Sequence, residues 1–173
     1  ETQSNTASNP DLGVASNGDA VAVYRHLGVG AFNAYALHYD FAMDIWSDPA
    51  PIENSSDQEI TDLNVAVAPN GDAMAVWIQG DGSFNDGYYA RYDSGNATWS
   101  AAQTFEGLSA TPYEVEVAAA ANSDFMVVFT AESSGADSVW YNRYDDGTSS
   151  WDGASLLEFT GGAAQDISVA YGA

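Results

Sequence analysis

Arg91 and Arg143 each stand directly before a Tyr-Asp pair, Tyr92-Asp93 and Tyr144-Asp145, and His38 stands before a third, Tyr39-Asp40. In a chain of 173 residues with no lysine, three arginines and 25 carboxylates, a cation kept at one recurring position calls for a reason. Two chemistries fit. One is an ion pair with a recurring carboxylate, drawn from the Asp40/Asp93/Asp145 column or the Glu53/Glu106/Glu158 column. The other is a ligand site, in which His38, Arg91 and Arg143 with Tyr92 and Tyr144 hold the hydroxyls of a sugar while an aromatic ring covers its apolar face. Thiol chemistry and disulfides are excluded by the absence of cysteine, and His26 and His38 make no metal-ligand spacing. No cofactor is expected. The one candidate cation site is a calcium loop with oxygens from Asp81, Ser83, Asn85 and Asp86, and it lacks the Gly at position six and the Glu at position twelve of such loops.

These residues recur because the chain does. Asn17-Gly18-Asp19 returns as Asn70-Gly71-Asp72 and Asn122-Ser123-Asp124, at intervals of 53 and 52 residues. Trp46, Trp99 and Trp151 keep the same two intervals, and each copy runs 36 positions without a gap from its Asn to Glu53, Glu106 or Glu158. A strand-rich period near 50 residues is the mark of propeller blades. In the second copy, apolar runs fall at Val65–Val67, Ala73–Trp77, Tyr88–Tyr92 and Thr98–Phe105, each bounded by Gly, Asn, Asp or Ser. The Asn-Gly-Asp between the first two suits a tight hairpin whose turn needs positive φ. No window carries a sustained 3.6-residue apolar stripe, so helix is not expected.

The expected fold is therefore an all-β propeller of three four-stranded antiparallel blades plus one extra inner strand. A polar tail or linker covers 1–8, the blades cover 9–62, 63–113 and 114–165, and a fourth blade begins at 166–173. Columns of large residues, Tyr24/Trp77/Phe129, Tyr35/Tyr88/Trp140 and Ile52/Phe105/Leu157, supply the core between blades. The first strands are built of Ala, Val and Gly (Val14, Ala66, Ala119), as suits the crowded strand nearest the axis.

Tyr92-Asp93-Ser94-Gly95 to Trp99 and Tyr144-Asp145-Asp146-Gly147 to Trp151 resemble the Asp-box of sialidase-type propeller blades, with one residue more before the Trp. The first copy has Ala42 where Gly is expected. The run Val65–Trp77 is similar to repeats of secreted bacterial propellers and propeller lectins, and the resemblance spans 9–173. It implies a structural role, holding the hairpin together, for Asp40, Asp93, Asp145, Trp46, Trp99 and Trp151.

Three blades do not close a ring, because propellers use about 4–8. Closure would come from the rest of a longer chain, which the extra strand favours, or from a second copy. The net charge, 3 − 25 = −22, repels nucleic acid and anionic membranes. No run approaches the roughly 20 apolar residues of a membrane span. A first residue Glu1 rather than Met suits a mature or excised segment, and Asn54 and Asn96 are glycosylation sequons. Dense Asp without Lys suits a secreted or cell-surface protein in saline surroundings.

Two functions follow as expectations. A glycosidase needs two carboxylates at a set separation, and a sialidase needs converging arginines, whereas these arginines lie in successive repeats. A binding or scaffold module, with carbohydrate or an extracellular protein as partner, is favoured. The alternative is a fragment of a sialidase-like or other glycoside hydrolase propeller. Adding sodium chloride shrinks the Debye length from ~10 Å at 0.1 M to ~3 Å at 1 M, which screens self-repulsion. The melting temperature should rise over that range, and a flat or falling curve would refute the saline reading.

Overall fold

A computed structural model describes residues 6–28, 30–54, 58–80, 85–133, 136–157, 164 and 166–171. The alternation of apolar residues and turn signals becomes three antiparallel sheets. The first holds β1 (Ala7–Val14), β2 (Ala20–Leu27), β3 (Phe32–Asp40) and an outer edge in two pieces, β4 (Ile45–Trp46) and β5 (Ala50–Pro51). The second holds β6 (Ile60–Val67), β7 (Ala73–Gly80), β8 (Asn85–Asp93), β9 (Thr98–Trp99) and β10 (Gln103–Thr104). The third holds β11 (Thr111–Ala119), β12 (Phe125–Ser133), β13 (Ala136–Asp145), β14 (Ser150–Trp151) and β15 (Ser155–Leu156). The two outer pieces are one fourth strand interrupted. Between them, Ser47, Ser100 and Asp152 still donate backbone N–H to the carbonyls of His38, Arg91 and Arg143. Among the described residues there is no helix, and the fold is a β-propeller of three four-stranded blades.

Local backbone chemistry recurs with the sequence. The Asn-x-Asp turns close by Ala15, Ala68 and Ala120 donating to the carbonyls of Asp19, Asp72 and Asp124. Only the middle residue enters the left-handed region: Gly18 at φ 94°, Gly71 at 93° and, with a Cβ to accommodate, Ser123 at 70°. The lengthened turn before each Trp is likewise closed by one left-handed residue, Asp44, Ala97 or Ser149. The inner strands bulge near their starts, with Asn9 and Asp62 at φ 48°. Asp166 repeats that geometry at φ 57°, but 166–171 forms no strand. The extra inner strand expected there has the left-handed residue without the ladder, because no described strand lies alongside to take its hydrogen bonds. Residues 172–173 lie outside the described residues.

The core sits in the two joints between blades. Val21, Val23, Ala34, Ala36 and Ile52 of the first blade close on Val65, Ala75, Trp77, Ala90 and Tyr92 of the second. Met74, Val76, Ile78 and Phe105 then close on Val117, Val127, Phe129 and Tyr144 of the third. Inner strands crowd together: a Cβ on Gly13 would lie 2.6 Å from Val67 Cγ2. Trp77 and Phe129 are fully buried, whereas Tyr24 of the same column is not, since no described blade covers the front of the first sheet. On that front Leu12 is 55% and Val14 60% exposed, beside an apolar hollow of about 320 Å³ lined by Pro10, Ala22, Tyr24, Leu37 and Pro49. The opposite end shows the mirror effect, with Ile52 and Phe105 buried but Leu157 54% exposed. Truncating Trp77 to Ala should therefore cost about 3–5 kcal/mol in urea unfolding, while Tyr24→Ala costs clearly less. Equal losses would mean that the first sheet's front is covered.

Candidate functional site

The turns that carry the cations are built from Asp carboxylates. In each blade the Asn of Asn-x-Asp donates Nδ2 to its own Asp and accepts that Asp's backbone N–H. The other oxygen of Asp19, Asp72 and Asp124 accepts the N–H of Phe41, Ser94 and Asp146, so one carboxylate ties the two turns of a blade together. Asp40, Asp93 and Asp145 cap their own turns, accepting from Met43, from Gly95 and Asn96, and from Thr148. The Asn96 side chain adds a further bond and, with these N–H donors, holds the Asp93 carboxyl below its usual range. Trp46, Trp99 and Trp151 sit across the ladder from Tyr39, Tyr92 and Tyr144, with ring centroids 5.1, 5.3 and 5.3 Å apart. Trp99 and Trp151 pack against the two joints, whereas Trp46 is 48% exposed on the open front.

The recurring cations do meet carboxylates, though chiefly in a column other than the two expected. Arg91 Nη2 lies 2.7 Å from Asp72 Oδ2 and 2.5 Å from Asp146 Oδ1, crossing from the second blade to the third. Arg143 Nη2 lies 2.6 Å from Asp124 Oδ2 and 3.2 Å from Asp145, and its Nη1 lies 3.0 Å from Asp152. Hydrogen bonds to Asp124, Asp152 and Tyr171 push the Arg143 pKa still higher. Asp124 is driven up by burial, but its bonds from Arg143, Asp146 and Asn122 outweigh that and lower it. The signal was in the sequence: Asp72–Arg91 and Asp124–Arg143 are both 19 residues apart, as are Asp19 and His38. Among the described residues, Asp145 is the only expected partner reached. Glu53 accepts from Gln79, Glu106 accepts from the N–H groups of Gly87 and Gly107, and Glu158 lies outside the described residues. His38 stacks instead on Tyr92 of the next blade, centroids 5.3 Å apart.

A cleft of about 360 Å³ opens at the second joint, lined by Tyr89, Arg91, Asp93, Trp99, Gln103 and Tyr144 among others. Of the candidate binding residues it gathers Arg91 and Tyr144. Tyr92 turns toward the first blade, His38 belongs to the first joint, and Arg143 lies beyond the cleft on the third blade's turn. Sequence reasoning passed over Tyr89 and Gln103, joined by a 3.0 Å bond from the phenol to the amide oxygen. Their signal is a break in the repeat, since the first blade has Ala36 and Ala50 in those columns. Of the calcium-loop residues, Asp81 and Ser83 lie outside the described residues, and Asn85 and Asp86 pair with Gly80 and Gln79 in the β7–β8 ladder.

Carboxylates also gather on the inner strands. Asp62 and Glu116 are raised by burial, Glu116 further by Asp62, Asp11 and Glu114. A second cleft of about 350 Å³ is lined by Asp62, Tyr113, Glu114 and Asp166. Two of these acids staple blades: Asp11 accepts from Val65 N–H at 2.8 Å and Asp62 from Val115 N–H at 2.5 Å.

No protein-family model matches the sequence, and no curated protein matches it. Solved structures do share the fold. A protein of unknown function from Dyadobacter fermentans aligns with TM-score 0.64 and 13% identity over 88% of this chain and 51% of its own. Fructan 1-exohydrolase IIa from Cichorium intybus aligns at 0.56 and 12% over 93% of this chain and 34% of its own. A glycosyl hydrolase from Bacteroides ovatus aligns at 0.53 and 13% over 90% and 50%. The chain thus spans about half or less of these proteins, and at such identities the likeness is one of fold alone.

One buried carboxyl makes the first joint sensitive to pH. Trp77 Nε1 donates to Gln79 Oε1 at 3.2 Å, and Gln79 Nε2 donates to Glu53 Oε2 at 3.4 Å. Burial, only partly offset by Gln79, lifts the Glu53 carboxyl from 4.5 to about 7. The folded state then holds a proton that the unfolded chain releases, so this contribution is full below 4.5 and fades as pH rises through about 7. Glu53→Gln should flatten that fall and melt higher than the parent at pH 8. Parallel melting curves for the two proteins across that range would refute it.

Proposed function

We propose that the chain is a secreted or cell-surface propeller module that binds, with carbohydrate as its ligand at the cleft between the second and third blades. One observation carries this reading: the cleft combines an aromatic wall with amide and hydroxyl groups and, among the described residues, has no carboxyl free to protonate a leaving group. Asp93 is its lining carboxylate, and the turn it caps keeps it ionised. A glycosidase acid needs the opposite, a raised pKa. The test is to incubate the protein with a glycan array and with chromogenic glycosides. Saturable binding without released product is expected. Turnover that disappears in Asp62→Asn or Glu116→Gln would overturn it.

The second reading, a piece of a glycoside hydrolase, draws its support from those same inner-strand acids and from the hydrolases that share the fold. Either function needs a closed ring. The open front of the first blade carries Leu12, Ala22, Tyr24, Tyr39 and Trp46, in the columns where the second blade buries Val65, Ala75, Trp77 and Tyr92 and packs Trp99 against its neighbour. Further blades, from a second copy or from the rest of a longer chain, would cover it. Sedimentation should show self-association or aggregation of this chain, because so large an apolar patch is rare on a soluble monomer. A stable, monodisperse 18.2 kDa monomer would refute closure.

A further inference from the structure

We infer that the second-joint cleft selects an uncharged sugar and rejects acidic ones, an inference that rests on the binding reading above. The cleft is not a recurring site. At the first joint the corresponding columns hold Ala36 for Tyr89, Ala50 for Gln103, Ile45 for Thr98 and Ala97 for Ser149, and His38 lies stacked on Tyr92. The hydroxyls and amide that could meet a ligand therefore belong to the second joint. There the Tyr89 hydroxyl donates to Gln103 Oε1, which fixes the exposed amide and leaves Nε2 to donate outward. The rings that line the cleft from the second joint are Tyr89 and Tyr144, centroids 6.1 Å apart, beside the Thr98 and Ser149 hydroxyls, whereas the Trp99 ring turns with Tyr92 to the first joint. Amide and hydroxyl donors around one aromatic wall are what a sugar ring needs, with hydroxyls at its edge and C–H groups on its face. At about 360 Å³ the space sits at the small end of ligand pockets, which run ~300–1,000 Å³.

Charge then decides which sugar. The one cation in the cleft, Arg91, is held by Asp72 and Asp146, and Asp93 stands beside it. Counting these four side chains gives 1 − 3 = −2, set in a chain of net charge −22. A uronate or sialate would meet a guanidinium already matched by two carboxylates, with a third nearby, and would be repelled. A neutral ring meets no such repulsion on entering.

The experiment is isothermal titration of the chain with cellotetraose, laminaritetraose, mannotetraose and a fructo-oligosaccharide, beside tetragalacturonate and 3′-sialyllactose. At least one neutral glycan should bind and the acidic ones should not. Gln103→Ala should weaken the neutral binder about tenfold, the loss of one hydrogen bond and the stranding of the Tyr89 hydroxyl. Gln103→Glu, which keeps the acceptor for Tyr89 but loses the amide donor, should weaken it as well. The exposed position lets both variants fold, checked by matching melting curves. An acidic glycan bound as tightly as a neutral one would overturn the inference and leave the binding reading standing. Neutral binding untouched in both variants would overturn the assignment to this cleft. No binding by either set would overturn the inference together with the reading beneath it.

Discussion

A sheet of this repeat has two apolar faces, and neither can be left to water. The second sheet shows the consequence in full: β7 is buried from Ala73 to Gln79, with Ala75 and Trp77 on one side and Met74, Val76 and Ile78 on the other. Burying apolar surface is worth ~25 cal/mol per Å², so a blade gains most when, like the second, it is covered on both faces. The placement of everything else follows. Many polar groups gather in the turns at the rims, where the Asn-x-Asp and Tyr-Asp motifs lie, while Gln79, Thr130 and Asn142 are buried within strands. The first and third blades keep apolar residues at their outer ends, and Trp46 and Leu157 are exposed where their repeat mates are packed.

The acidity of the chain is partly structural. With no lysines to pair with, its aspartates are satisfied by backbone N–H groups and so act as fasteners. Asp19, Asp72 and Asp124 join turn to turn within a blade, while Asp11 and Asp62 join one blade to the next. Bonds of this kind, from N–H to a charged acceptor, contribute ~1.5–3 kcal/mol each and hold fixed what self-repulsion would loosen. The two arginines at the turns extend the scheme. Arg91 bridges carboxylates of consecutive blades, whereas Arg143 finds Asp124, Asp145 and Asp152 all on its own blade. Glu53 is the exception, a carboxyl drawn into the first joint where, among the described residues, Gln79 meets it, and burial raises its pKa.

The proposed binding role rests on departures from the repeat. Tyr89 and Gln103 are departures of that kind, and they stand at the cleft. The repeated Tyr92 turns out to be buried against the first blade and contributes nothing there.

Fold was legible in the sequence because its cause is local and repeated. Glycine at a left-handed turn, the alternation of apolar runs and the 53- and 52-residue intervals each declare a strand or a turn without reference to the rest of the chain. The pairing of Asp72 with Arg91 and of Asp124 with Arg143 could have been read too, from a constant spacing of 19 across a hairpin whose strands bring those positions together. What only the tertiary structure decided lies between blades. Arg91 reaches Asp146 55 residues away, and Tyr89 stands beside Tyr144, because one sheet packs face to face on the next at a given offset. No local propensity encodes that offset; it is set by how side chains such as Phe105, Phe129 and Trp151 interlock.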